Sequence, residues 1–98
     1  MTIRHCVLLR MREALDPRAV EGLVEALRAL PGQIPQIRGY EVGVDLGWRQ
    51  GNPDVAVVAT FDDEAGWRAY VEHPAHVAVV EEHIDPFVAE RTSVQFEI

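Results

Sequence analysis

The chain has 98 residues with sixteen Asp or Glu against nine Arg and no Lys, a formal charge of -7 with its four histidines neutral. A chain of this length hides roughly 65% of its unfolded surface, about 10,000 Å², enough for one core and one domain over residues 1–98. The acidic balance excludes nucleic acid and anionic membrane surfaces as expected partners, since both are bound through clustered cations, and no apolar run nears the roughly 20 residues that cross a bilayer.

Residues Ile3 to Met11 alternate, with Ile3, His5, Val7, Leu9 and Met11 on one face and Arg4, Cys6, Leu8 and Arg10 on the other, which predicts a strand. Asp16 and Pro17 offer an N-cap followed by proline at the first helical position. Val20, Leu23, Val24, Leu27 and Leu30 then recur on one helical face until Pro31-Gly32 ends it. From Ile37 to Leu46 a second strand sets Tyr40, Val42, Val44 and Leu46 against Gly39, Glu41, Gly43 and Asp45. Past a turn-rich stretch, Val55 to Phe61 is apolar on both faces and predicts a strand covered from both sides. Asp62, Asp63 and Glu64 suit the positive end of a helix reaching about Glu72. Pro74 breaks it, and a short helix from Ala75 to about Ile84 follows. After Asp85-Pro86, residues Arg91 to Ile98 form a closing strand, with Thr92, Val94, Phe96 and Ile98 opposite Ser93, Gln95 and Glu97.

Strand, helix, strand, strand, helix pair, strand is the ferredoxin-like β-α-β-β-α-β pattern, an α+β domain whose four-stranded antiparallel sheet carries helices on one face. The opposite face is apolar as well, through Cys6, Leu8 and the second side of Val55 to Phe61. An exposed patch of that kind marks an interface, and two copies packed sheet to sheet close it with two-fold symmetry. The expected partner is therefore a second copy of the chain. The lone cysteine, Cys6, has no partner for a disulfide or a thiolate metal site and fits a reducing cytoplasm.

Chemistry centres on the histidines, the side chains that titrate near neutrality. His5 stands on the apolar face of the first strand. If His76, in the first turn of the short helix, faces the same cavity, the two form a polar pair in an apolar pocket, the pattern of an active-site candidate. His73 reads as a cap at the helix junction and His83 as solvated. His73 and His76 straddle a proline, and His76 and His83 are seven residues apart, so neither spacing is a zinc signal and no metal is expected. No nucleotide, hydrolase or redox fingerprint occurs. Trp48 and Trp67 are pocket candidates, Trp67 also reading as packed core, and Tyr70 lies one turn before the His73-Pro74 junction, where its phenol can orient a ligand oxygen.

Ile3-Arg4-His5-Cys6-Val7-Leu8-Leu9-Arg10, Tyr70-Val71-Glu72-His73-Pro74-Ala75-His76-Val77 and Asp85-Pro86-Phe87 together resemble the stress-responsive A/B barrel (Dabb) family, over essentially the whole chain. The resemblance implies a dimeric α+β barrel. It also points to a branch that includes plant olivetolic acid cyclase, a polyketide cyclase performing an intramolecular aldol closure. By that likeness His5, Tyr70 and His76 are the catalytic candidates: His76 as general base, His5 holding its tautomer and orientation, and Tyr70 positioning the substrate oxygen. Val7, Leu23, Leu27, Trp67 and His73 are the expected ligand-binding neighbours. The plant enzyme adds a tyrosine on its first helix, where this chain has only apolar inward residues, and neither Tyr40 nor the tryptophans are expected to replace it. Three readings follow: a binding module for a small apolar or carbonyl-bearing ligand, a cofactor-independent cyclase or lyase, and a cofactor-free monooxygenase. A cavity of roughly 300 Å³ or more beside His5, Tyr70 and His76 would favour an enzyme, and a filled core the module.

Overall fold

A computed structural model describes residues 1–12 and 17–98; Asp16, the expected cap of the first helix, lies outside the described residues. Strands β1 (Ile3–Met11), β2 (Gly39–Val44), β3 (Val55–Phe61) and β4 (Val88–Glu97) form one antiparallel sheet in the order β2-β3-β1-β4. The two strands with apolar residues on both sides, β1 and β3, take the two central places, each with a ladder on both edges. In register, His5 lies between Ala59 and Gln95, Val7 between Val57 and Ser93, and Leu9 between Val55 and Arg91.

Helices α1 (Pro17–Ala29), α2 (Glu64–Glu72) and α3 (Pro74–Val79) accompany the sheet on the His5 side. The predicted stripe of α1 buries Leu23, Val24 and Leu27, and Leu30 follows in a short 3-10 turn, Leu30–Gly32. Asp63 caps α2 by accepting a 2.8 Å hydrogen bond from the Gly66 amide. His73 ends α2 and starts α3: its Nδ1 accepts from the Ala75 amide at 3.0 Å. A π turn, Val80–Ile84, leads out of α3. Phe61, Tyr70, Leu9, Leu23, Leu30, Ile34 and Val55 are the largest fully buried side chains, and each large apolar one contributes roughly 1.5–3 kcal/mol by leaving water.

The other face of the sheet carries no helix. Leu8, Val94 and Phe96 are exposed there, beside half-buried Cys6, Ala56 and Val58. Among the described residues, the sealed Nε of Arg4 on this face has no hydrogen-bond partner. The chain leaves 6276 Å² accessible, against about 5,600 Å² for a compact protein of its mass.

Four expectations are corrected. β4 begins at Val88, not Arg91, because a register shift between Arg10 and Met11 inserts a bulge that breaks the alternation of Val88-Ala89-Glu90. β2 ends at Val44, where Asp45 N–H turns to the Asp54 carbonyl and opens a loop with Gly47 and Gly51 at positive φ. Trp48 sits in that loop, 84% exposed, and is not part of the wall between sheet and helices. His83 is half-buried, its ring beside Gly22 of α1, rather than solvated.

Candidate active site

The sheet's inner face and the helices enclose a cavity of about 220 Å³. Its apolar wall is Val7 and Leu9 of β1, Leu27 of α1, Val57 of β3, Val71 of α2 and Ile84; its polar groups are His5, Trp67, Tyr70, His76, Arg91, Ser93 and Gln95. The expected pair, His5 and His76, is thus joined with Tyr70 and Trp67 around one space. The volume is below the roughly 300 Å³ of the usual ligand site, yet the space is not a filled core.

His5 is buried, and its Nδ1 is met by two donors: the indole Nε1–H of Trp67 at 3.3 Å and the side-chain amide of Gln95 at 2.9 Å. An indole N–H only donates, so Nδ1 is the acceptor and the proton of the neutral ring is assigned to Nε2. His76 has the reverse arrangement. Its Nδ1 lies 3.1 Å from the Val71 carbonyl, which only accepts, so Nδ1 carries the proton and Nε2 the lone pair. Neither Nε2 makes a hydrogen bond among the described residues.

Both rings are held neutral. Burial, helped by nearby His76, lowers His5 to about 4. Burial also lowers His76; its bond to Val71 opposes this and the Arg91 charge reinforces it. Tyr70 packs against the His76 ring, centroids 4.4 Å apart, and edge-on to His5 at 5.9 Å. Its hydroxyl is 2.9 Å from that of Tyr40. Burial pushes both phenols up, so both stay protonated at neutral pH. When Tyr40 donates, the Tyr70 proton is free for a ligand oxygen.

Leu23 and His73, expected on the cavity wall, are not there. Leu23 is fully buried in the core, and His73 is occupied as the α3 cap. Tyr40 is the reverse case: set aside by sequence position, it reaches Tyr70 across 30 residues of chain because β2 pairs with β3 beneath α2. Arg91, Ser93 and Gln95 went unpredicted as wall residues. The alternation of β4 groups them on one face, but a polar face on an edge strand reads as solvent until the register sets it beside β1. Among the described residues no group of three His, Cys, Asp or Glu is placed to hold a metal ion.

The fold and cavity define a ferredoxin-like protein with a small cavity between sheet and helices, lined by two imidazoles and a phenol. The chain belongs to the stress responsive A/B barrel domain family, whose sequence pattern matches residues 3–98. It is 40% identical over 81 residues to an uncharacterised protein of Streptomyces coelicolor, covering 80% of this chain and 82% of that one. A dimeric ferredoxin-like protein of unknown function from Thermobifida fusca superposes with a TM-score of 0.91 at 45% identity, covering 100% of this chain and 92% of that one. Hydroxynitrile lyase from Passiflora edulis shares the fold, with a TM-score of 0.86 at 20% identity over 99% of this chain and 93% of the lyase. No described helix is long and apolar enough to cross a membrane.

Proposed function

We propose that this protein is a homodimer that admits a small carbonyl-bearing ligand between sheet and helices, where His76 acts as general base on a proton alpha to the carbonyl. One observation carries the reading: two neutral imidazoles on a single cavity present opposite polarity, a proton on Nε2 of His5 and a lone pair on Nε2 of His76. A carbonyl oxygen accepts from His5 and from the Tyr70 hydroxyl. As the α C–H bond breaks, its proton passes to Nε2 of His76 and the electron pair moves toward that oxygen, where the two donors hold the growing negative charge. The imidazolium keeps its Nδ1–H on the Val71 carbonyl. A base with an oxygen clamp serves an intramolecular aldol closure.

The modest cavity supports a plainer second reading, binding without turnover. Dimerisation runs through the bare sheet face, whose exposed apolar residues favour a second copy, as does the dimeric state of the Thermobifida protein. A reducing cytoplasm is the setting that suits Cys6.

Methyl levulinate, a small ketone without charge, tests the site by thermal shift and by NMR-followed deuterium exchange at its α carbons. Wild type is expected to be stabilised and to accelerate exchange. His76→Ala should retain binding and lose about 10²–10⁴-fold of the acceleration. Binding without exchange in wild type leaves the binding module standing, and no binding removes the ligand reading.

A further inference from the structure

Arg91 gives and takes no proton in that transfer, though its charge helps keep His76 neutral; among the described residues it is the one charged group that lines the cavity. It faces inward from β4 opposite Leu9 and lines the same space as His5 and His76. Among the described residues its guanidinium makes no ion pair and no hydrogen bond, whereas Arg10, Arg38 and Arg68 each pair with a carboxylate. No carboxylate lines the cavity among the described residues, and both imidazoles there are neutral. The wall therefore has a net positive charge inside a chain of formal charge -7. Beyond a Debye length of about 8 Å that overall charge is screened, so the local cation decides what the cavity attracts.

The position also sets an orientation. Arg91, Ser93 and Gln95 form a polar row along β4, all exposed while lining the cavity, so the mouth opens over this edge strand. Gln95 pairs with His5 and Arg91 with Leu9, four residues apart, or about 13 Å along a strand. The carbonyl clamp is at one end of the row and the guanidinium at the other, with an apolar wall between.

We infer that the natural ligand is an anionic carbonyl compound, a keto acid or similar, whose carboxylate is bound by Arg91 while its carbonyl rests on His5 and Tyr70. This rests on the proposed function and adds the ligand's charge and direction of entry. Arg91 acts as a specificity-determining residue: a planar guanidinium takes a carboxylate through two parallel hydrogen bonds, and a bound carboxylate gives this guanidinium a partner.

Three probes of matched length separate the two claims: 7-oxooctanoate, with carbonyl and carboxylate far enough apart to reach both ends of the row; its methyl ester, with the carbonyl only; and octanoate, with the carboxylate only. Binding to wild type, Arg91→Gln and the surface-charge control Arg49→Gln is measured by calorimetry. The keto acid is expected to bind wild type about ten- to a hundredfold more tightly than the ester. Arg91→Gln should erase that preference without weakening the ester, and Arg49→Gln should leave it intact. A preference for the ester, or one that survives Arg91→Gln or falls equally in Arg49→Gln, overturns the inference while the carbonyl site stands. Arg91-dependent binding of octanoate as tight as that of the keto acid keeps the anion site and removes the carbonyl reading. If no probe binds, both are overturned.

Discussion

The two faces of the sheet are made from the same four strands, and they treat polar groups in opposite ways. On the inner face, β1 and β3 alternate apolar residues with a single histidine, and α2 and α3 cover them with Tyr70 and His76. Among the described residues, no buried side-chain nitrogen or oxygen there lacks a hydrogen-bond partner. The outer face carries Leu8, Val94 and Phe96 in the open, with no helix over them. One face encloses the candidate site within the chain, and the other is the face proposed to meet a second copy. The contrast teaches that a two-sided apolar strand such as β3 needs two different covers, of which this chain supplies one.

The contrast breaks most visibly at Leu8. In the proposed dimer a Leu8→Glu charge is buried without a partner, and two-fold symmetry counts the cost twice, several kcal/mol in all. Leu8 is 44% exposed in one copy, so the fold should survive and sedimentation should show a folded 11.0 kDa monomer. A variant that remains dimeric places the interface elsewhere.

The inner face is probed by acid. His5 protonates near 6.5 when unfolded and only near 4 in the fold, so the folded chain binds fewer protons between those values. Stability contributed by the neutral ring is present above about pH 6.5 and is lost progressively as pH falls toward 4. Burial lowers His76 as well and adds loss in the same direction. Denaturant midpoints across this range should fall for wild type and fall less for His5→Gln.

The smallest effect is expected at the phenol pair. Tyr40→Phe removes the partner of a buried hydroxyl and should cost about 1 kcal/mol, a melting shift of about 4–8 °C in a domain of this size. A shift near zero would show that Tyr70 finds another partner in the cavity.

Much of this architecture is legible in local patterns. Alternation in Ile3 to Met11 and the two-sided apolar run of Val55 to Phe61 mark the central strands, because a side-chain period of two follows from the extended backbone itself. Asp63, Pro74 and the α1 stripe mark the helices for equally local reasons. His5, Tyr70 and His76 also stand out in sequence, since each is a polar group in an apolar or helix-junction setting. The cavity wall does not stand out. Tyr40 meets Tyr70, and Gln95 meets His5, only through strand pairing between distant segments. Leu23 and His73 look like neighbours of the site by spacing, but packing turns one into core and the other into a cap.

The sequence by itself determined the order of elements, the apolar sides of the sheet and which histidines were worth following, because periodicity, proline and capping act within a few residues. Only the tertiary structure decided the tautomers. Each ring's proton goes where its neighbour allows, to Nε2 of His5 beneath Trp67 and to Nδ1 of His76 beside Val71, and those contacts exist only once the helices lie on the sheet. Tertiary packing likewise turned Arg91 from one of nine scattered cations into a charge on the cavity wall.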